Sequence, residues 1–579
     1  MFPLHDPLDD TLRKELAEHD DLTAALLARR GITTKEEAEK FLNPSYSEHL
    51  HDPFLMIDMH KAAERFARAI LSGEQIVVWS DYDCDGIPGA VLLHDFLRKA
   101  GANFENYIPH RHLEGYGMNI GGIEKLARDG TKLIVTVDSG ITDVIPIARA
   151  NELGMAVIVT DHHLPQEKLP GAFAVLNPNA RADETYPYKS LCGSSVAWKL
   201  VCATLAVEPG LREKVPKGWE KWLLDMVGLA TIADMVPLVG ENRLLATYGL
   251  KVIKKSPRIG LQKLLRGMRV EQRAITEDDV GFMIAPRVNA ASRMGEARDA
   301  FRLFTTADES EADMLAKKLE KLNRERKAQV GAITRAVHTR LKERGEMRSI
   351  IALGDPEWRP ALLGLVANTI ADEYERPVFL WGREGNLSLK GSVRSGGTTP
   401  IMELMRATEN TFAQFGGHAV AGGFTVIDTE VFFLEDRLVE AYARITANTK
   451  QIDSLLARAD AAIIPEEATH TFLKKIERLA PFGQQNPKPV FLLREVAVRE
   501  ISRFGKAAEH LKLKINMREE SGSIDAVTFF IKGTAARIAN TLVRGSRVNL
   551  LAHLERDTFS RGNPVRLRLL DIRVADPVK

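Results

Sequence analysis

Three short runs of unbroken apolar residues stand out along the chain: IVVWS (76–80), KLIVTV (132–137) and MAVIVT (155–160), separated by segments with helical periodicity. A strand that is apolar on both faces must be covered on both faces. The alternation therefore predicts an α/β region on a parallel, doubly wound sheet. Before it, residues 1–50 read as a short helical lead-in. After it, helices are expected over 193–207 and 221–238, and one long charged helix over 309–344. A second α/β unit begins at SIIALGD (349–355) and runs to about Thr446, with glycine-rich stretches KGSVRSGGTTP and FGGHAVAGGF. A linker is expected over Lys450–Glu467. Beyond it come five strand-like segments with one helical segment, TAARIANTLV, before the fourth, the pattern of a small Greek-key barrel of the OB type. The expected division is 1–50, 51–255, 256–345, 346–450 and 451–579.

Composition changes this picture little. Apolar content of 45% and charged content of 27% are ordinary for a soluble globular chain. The opening MFPLHDPLDD has no basic and apolar leader pattern, and no apolar run is long enough to span a bilayer, so a cytoplasmic protein with no membrane partner is expected. Cys84, Cys192 and Cys202 form neither a CxxC pair nor a disulfide framework. Net charge is +1, but residues 501–579 hold 15 Lys and Arg against 8 Asp and Glu. That local excess suits a polyanionic partner.

The chemistry gathers at the strand ends. IVVWS runs into Asp81-Tyr82-Asp83-Cys84-Asp85-Gly86, KLIVTV into Asp138-Ser139-Gly140, and MAVIVT into Asp161-His162-His163. The first resembles the start of an EF-hand loop, yet the twelfth position is Leu92 and the preceding segment is a strand, so that reading fails. Taken singly, each acid has a bland explanation. Asp138 or Asp161 would cap a helix, and Asp234, in ATIADMVPL, would be a capping residue before Pro237. Taken together, three neighbouring strands deliver five Asp and two His to one crevice, because ligands bind beyond the carboxyl ends of the strands in an open parallel sheet. Such a crowd needs cations to stay ionised. Oxygen donors with one or two imidazoles suit Mn²⁺ or Mg²⁺, and two such ions are the usual device for phosphoester hydrolysis.

The motifs DYDCDG, VDSG, DHH and ADMVPL, in that order, resemble those of the DHH phosphoesterase superfamily, and GGHAVAGG (416–423) resembles its companion DHHA1 domain. FLNP, IPHRHLEGYG (108–117), LCGSSVAWKL (191–200), APRVNAASRMG (285–295), KGSVRS (390–395) and PFGQQNPKPV (481–490) narrow the likeness to the RecJ family of single-strand-specific 5′→3′ DNA exonucleases. The resemblance implies a DHH-type doubly wound parallel sheet plus a DHHA1 α/β domain joined by a long helix, with a C-terminal OB-fold β-barrel. It implies two divalent ions, Mn²⁺ or Mg²⁺, held by Asp83, Asp85, Asp138, His162 and Asp234. Asp81, Asp161 and His163 belong to the same motifs, either around the ions or on the scissile phosphate. It implies single-stranded DNA as the partner, with a single-strand-binding protein and a helicase as candidate protein partners.

For the 5′ end, the resemblance points to Arg111, Ser392 and Arg394, the last two placed on one face by their spacing along a strand. Gly417 offers backbone amides to a phosphate, His418 divides between a phosphate contact and a structural bond, and Arg287, Asn289 and Arg293 rank second. Phe504, Lys506, Lys512, Lys514 and Arg566 would give the barrel a nucleic-acid surface, although alternating Lys and Leu is also the ordinary solvent face of a strand. Cys84, Ser292, Arg359 and Ala361 depart from the family pattern, and a further C-terminal domain of some relatives is not expected. Two rivals remain open. One is a phosphodiesterase of short RNA or cyclic dinucleotides, whose small enzymes usually lack this length and barrel. The other is a non-catalytic replication scaffold of the same fold, whose motifs are degraded whereas these keep their acids.

Overall fold

The computed structural model describes residues 2–385, 388–397, 399–446, 458–505, 508–517, 522–531, 533–557, 560, 562 and 564–575. They form two compact units. The first comprises Met1–Ser292, Ala297–Lys317 and Leu455–Lys579; the second comprises Arg293–Glu296 and Lys318–Ser454.

In the first unit, strands β1 (Ile76–Ser80), β2 (Phe104–Tyr107), β3 (Leu133–Val137), β4 (Ala156–Thr160) and β5 (Ala174–Leu176) make an all-parallel sheet in the order β2-β1-β3-β4-β5. Every residue of β1 and β3 is buried, which is why both runs are apolar but for Ser80 and Thr136. Val77 and Trp79 pack on the helices Ile120–Arg128 and Val144–Glu152, through Ile123, Leu126, Ile147 and Ala150. The helices Gly86–Ala100 and Gly193–Val207 pack on each other and on the sheet. The order reverses between β1 and β3, and a doubly wound sheet opens its crevice at such a point.

The run 221–238 is not one helix. A short 3₁₀ turn, Trp219–Leu223, leads into the helix Leu224–Ala233, which stops at Asp234. Met235 takes a positive φ of 59°, and Pro237 cannot continue a helix. The helical lead-in is three helices, Asp10–Glu15, Asp21–Ala28 and Lys35–Leu42.

The barrel is built from β11 (Ala461–Ala462), β12 (Phe491–Phe504), β13 (His510–Asn516), β14 (Ser523–Thr528), β15 (Arg547–Arg556) and β16 (Val565–Val574), with the helix Gly533–Thr541 before β15. The order β11-β12-β13-β14-β16-β15 closes through β12–β15, and β14–β16 is parallel, as in an OB fold. The linker expected over Lys450–Glu467 lies outside the described residues as far as 457. Past that point the chain is already barrel, since β11 pairs with β12.

The lead-in and the barrel grip each other. Phe2 packs with Ala459, Leu492 and Leu551, Leu4 bridges to Ala459, and Arg29 pairs with Asp460 at 2.8 Å. At the centre lies Arg243, 2% exposed. It donates to the carbonyls of Phe41 (2.6 Å), Leu479 (2.7 Å) and Arg478 (3.3 Å), and its guanidinium stacks 3.7 Å from the Phe41 ring centre. Burial draws its pKa down to about 9. The carbonyls of Arg478 and Leu479 end the helix His470–Glu477, where a cation is favoured.

In the second unit, β6 (Ile351–Gly354), β7 (Val378–Gly382), β8 (Leu389–Arg394), β9 (Phe412–Gly417) and β10 (Ala421–Val426) form a mixed sheet in the order β6-β7-β8-β10-β9. The helix Pro360–Tyr374 and the end of the long helix Glu309–Arg344 cover one side, while Ile401–Arg406 and Leu434–Thr446 cover the other. Replacing Arg243 with Leu is expected to lower stability by at least about 2 kcal/mol, because three buried carbonyls lose a charged donor. Chemical denaturation would show this as an earlier midpoint of the first unit's transition; an unchanged midpoint would mean Arg243 holds nothing together.

Candidate metal centre

Each acidic segment starts where its strand's ladder ends. Asp81 N donates to Val137 O at 3.0 Å, Asp138 N to Thr160 O at 2.9 Å, and Asp161 N to Leu176 O at 3.0 Å. The ladder thus carries each aspartate just past the sheet edge at the β1/β3 reversal. Two close approaches make room for them. A Cβ on Gly86 would lie 2.4 Å from the carbonyl of Asp81, and one on Gly193 would lie 2.7 Å from Asp138 Cα. Asp138 itself adopts a φ of 57°, an unfavourable region for any residue but glycine, asparagine or aspartate.

Three overlapping sets of side chains bring ligand atoms within 4.8 Å of one another: Asp81, Asp83 and Asp138; Asp85, His162 and Asp234; and Asp138, His162 and His163. His162 Nε2 lies 3.2 Å from Asp138 Oδ1, 3.6 Å from Asp234 Oδ2 and 3.8 Å from Asp85 Oδ2. Asp85 is held by the N-terminus of the helix Gly193–Val207: its oxygens accept from Gly193 N at 2.6 Å and Ser194 N at 2.8 Å, and Ser194 Oγ donates to its carbonyl at 2.6 Å. The positive end of the helix favours a carboxylate there. Asp83 Oδ1 accepts from Asp85 N at 2.8 Å and Gly86 N at 3.2 Å.

Burial, followed by the neighbouring carboxylates, pushes the pKa values of Asp81, Asp138 and Asp234 well above the usual range. The Oδ1 atoms of Asp81 and Asp138 are buried with no hydrogen-bond partner. Unpartnered carboxylate oxygens beside more carboxylates and an imidazole are the donor set that a hard divalent cation takes, so the residues fit Mn²⁺ or Mg²⁺.

Asp161 differs. It is buried, and its oxygens accept from Ile141 N (3.0 Å), His162 N (2.7 Å), His163 N (3.2 Å) and His163 Nδ1 (2.8 Å). Burial raises its pKa, but the hydrogen bond and charge of His163 outweigh this and hold it below the usual value. His163 shifts the other way, to about 8, since Asp161 overcomes burial. Tyr116 adds a bond from its hydroxyl to Asp138 O at 3.1 Å and lies 3.2 Å from His163 Nδ1. Sequence reasoning missed Gly193, Ser194 and Tyr116 as supports. The first two were visible as a Gly-Ser-Ser start to a helix.

The substrate candidates divide. Arg111 stacks 4.2 Å from the Tyr82 ring centre, its Nε is buried without a hydrogen-bond partner, and its charge acts on Asp81. Asn289 spends its carbonyl oxygen on Cys84 N at 2.9 Å, so it supports the acidic loop. Arg287 is buried and donates to Met283 O at 2.7 Å, and Arg293 donates to Ala361 O at 2.5 Å. All three therefore have structural work of their own. Cys84 is buried, and burial plus Asp83 keeps its thiol protonated.

In the second unit Ser392 and Arg394 do share a face: a Cβ on Gly364 would meet Arg394 Nη2 at 3.0 Å and Ser392 Oγ at 3.5 Å. Burial alone lowers the pKa of Arg394, and among the described residues no carboxylate pairs with it. Gly417 needs its glycine, because a Cβ there would lie 2.4 Å from Ala421 O; His418 is exposed at the tip of the β9–β10 hairpin and donates its N–H to Ala421 O at 2.7 Å.

On the barrel, Lys512 pairs with Asp525 (2.5 Å), Lys514 with Glu500 (2.8 Å), and Arg566 with Glu555 (2.7 Å) and Asp557 (2.9 Å), so these cations have partners within the barrel. Lys506 lies outside the described residues. Phe504 instead joins His510, Phe529 and Phe530 in an aromatic cluster, with Arg568 stacked 4.3 Å from Phe529. Spacing hid this cluster, since its members come from three separate segments. No described helix is long and apolar enough to cross a membrane.

Comparison with known proteins agrees with this geometry. Residues 75–231 match the DHH family N-terminal domain, 347–464 the DHHA1 domain and 459–571 the RecJ OB domain. The single-stranded-DNA-specific exonuclease RecJ of Bacillus subtilis is 33% identical over 558 residues, which span 96% of this chain and 68% of that protein. Its Escherichia coli namesake is 30% identical over 554 residues, 89% of this chain and 91% of that one. The crystal structure of Thermus thermophilus RecJ with Mn²⁺ superposes with a TM-score of 0.80 at 28% identity, covering 100% of this chain and 79% of that one.

Two outcomes follow from the crowded carboxylates. Mn²⁺ should raise the melting temperature of the protein, by the equivalent of about 2.7 kcal/mol at a hundred times its dissociation constant, and chelator should reverse the gain. Asp138→Asn should melt higher than wild type without metal and gain little from Mn²⁺, whereas a wild-type response in that variant would remove Asp138 from the centre. Gly193→Ala should cost about 1–3 kcal/mol without metal, since its Cβ would strike Asp138 backbone.

Proposed function

The chain belongs to the RecJ family of DHH phosphoesterases, and from that premise we propose that it hydrolyses single-stranded DNA from the 5′ end to mononucleotides, in DNA repair and recombination. The observation that carries the reading is the convergence of Asp81, Asp83, Asp85, Asp138, His162 and Asp234 at the β1/β3 reversal, in a unit that also holds the barrel. Chain length and barrel favour a long strand over a dinucleotide, and the intact acids favour catalysis over scaffolding.

Asp83, Asp85, Asp138, His162 and Asp234 would hold two divalent ions. Bound there, such ions neutralise phosphoryl oxygens and make hydroxide available at neutral pH. The chain's own groups do the rest. Asp85, fixed by Gly193 and Ser194, keeps one oxygen-donor position rigid. Asp161, 2.8 Å from His163 Nδ1, fixes the orientation of that imidazole, which would lie beside the reacting phosphate. From the resemblance, Arg111 in the first unit and, separately, Ser392, Arg394, Gly417 and His418 in the second would contact the strand near its 5′ end. In each turnover water attacks phosphorus, the bond to the 3′ oxygen of the released nucleotide breaks, and the phosphate stays with the strand. The shortened strand therefore presents the same 5′ phosphate again.

The aromatic cluster of the barrel, Phe504 with Phe530, suits stacking of the trailing strand. We assign chemistry to residues 51–255 and strand holding to 346–450 and 451–579. A cytoplasmic location, and a helicase and a single-strand-binding protein to supply the strand, complete the proposal.

A 5′-labelled single strand should lose mononucleotides from that end in Mn²⁺ or Mg²⁺ and survive in chelator. Asp83→Ala and Asp138→Ala should each reduce kcat by roughly a thousandfold or more. Arg394→Ala should chiefly raise KM for 5′-phosphorylated strands. Activity that persists in chelator, or in either aspartate variant, would end this reading.

A further inference from the structure

The helix that delivers Asp234 ends in a way that sequence preference opposes. Asp234 closes it, with its N–H on Ala230 O at 2.8 Å, and Met235 follows at a φ of 59°. That position after a helix is ordinarily glycine or asparagine, because a Cβ is disfavoured in the left-handed region. Here it holds a long apolar side chain that is 65% exposed.

Its surroundings leave it no packing role. Val236, the next residue, is buried with Cys192 and Ala230. Pro237 O and Val239 O accept from the Tyr188 hydroxyl at 3.3 and 2.8 Å, and Leu238 N donates to Gln484 O at 2.8 Å. The segment is thus held on its buried side, and Met235 alone points a large apolar group outward, one residue from a member of the acidic cluster. Leu113 and Leu164, 82% and 64% exposed, also follow site segments, but neither sits in disfavoured backbone. The fold needs this left-handed turn but not a side chain on it, since glycine would serve; a bulky apolar group kept there, exposed and beside a reacting centre, points to a ligand contact.

We propose that Met235 is a substrate-positioning residue whose side chain packs against the base of a nucleotide flanking the scissile phosphate. A thioether chain suits this task, being apolar, polarisable and adaptable to any of the four bases. The contact is sequence-tolerant, as an exonuclease needs, and it fixes the strand laterally while the charged groups hold its phosphates. The inference rests on the exonuclease reading.

The test compares wild type with Met235→Gly and Met235→Leu, by thermal melting and by KM and kcat in Mn²⁺. The substrates are a 5′-phosphorylated single strand and the same strand made abasic at its first two nucleotides. Met235→Gly should melt higher than wild type, because the strain is relieved. It should raise KM for the normal strand by roughly tenfold, the scale of one lost apolar contact. It should match wild type on the abasic strand, where the contact has no partner. Met235→Leu should stay within roughly threefold of the wild-type KM. A wild-type KM for Met235→Gly on the normal strand, an equal loss on the abasic strand, or a lower melting temperature would overturn the proposal. If wild type degrades neither strand, the exonuclease reading itself has failed, an outcome distinct from those three.

Discussion

Charge repulsion in a dry place governs this structure. Two like charges 4 Å apart at an effective dielectric of about 20 repel by about 4 kcal/mol, and a whole domain is stable by only about 5–15 kcal/mol. Five aspartates, Asp81, Asp83, Asp85, Asp138 and Asp234, belong to two of three sets, linked through His162 and Asp138, whose ligand atoms lie within 4.8 Å inside each set, and Asp81, Asp85 and Asp138 are nearly inaccessible to water. The sheet cannot relieve this by spreading, because each strand end is fixed by ladder bonds to the next. The remaining escapes are protonation and cations, and the raised pKa values of Asp81, Asp138 and Asp234 express the first.

The surroundings are arranged around that constraint and do not dilute it. Hydrogen-bond donors are rationed. Asp85 receives two from a helix N-terminus, and Asp161 receives four, while an oxygen each of Asp81 and Asp138 receives none. The same residue type therefore does three jobs within one crevice. Asp161 is satisfied and orients two histidines, Asp85 is half satisfied and rigid, and Asp81 and Asp138 each keep an oxygen that accepts no hydrogen bond, the latter 3.2 Å from His162 Nε2. Glycines at 86 and 193 are what allow backbones to come this near, and the left-handed turn at Asp138 is the conformational cost.

Much of this was legible in the sequence. Strands buried on both faces announce themselves as IVVWS and its two companions, and the strand-end rule then brings their acids together without further information. The barrel strands were equally plain, being alternating patterns separated by turns. Three things were not legible. Periodicity ran a helix through Asp234, because Ala-Asp-Met-Val is locally helical in pattern; Pro237 marked a stop, but the left-handed turn at Met235 that ends the helix sooner was not visible. The polar groups of Arg287, Asn289 and Arg293 are visible in a sequence, whereas the carbonyls and the amide they bond are not. Lys512, Lys514 and Arg566 each have a carboxylate partner on a neighbouring strand, which a sequence does not display. Hydrogen-bond partners distant in sequence are the information a one-dimensional reading lacks.

Asp234 shows how far such partners reach. It is the one member of the cluster that no strand delivers. Its position depends on a helix end, and that end is set by Leu238, which meets the chain again at Gly483 and Gln484, more than two hundred residues on. The segment 481–488 is anchored in turn: Phe482 N donates to Glu277, Lys488 pairs with Asp278, and Asn486 accepts from Arg30 of the lead-in. The connection from β11 to β12 is therefore part of the scaffold of the acidic crevice, and the run PFGQQNPKPV serves as its buttress. Were the barrel an appendage hung on a finished domain, a loop between two of its strands would have no reason to close the turn after Asp234. Because it does, the turn after the fourth corner of the cluster is bonded to a segment that the lead-in also holds.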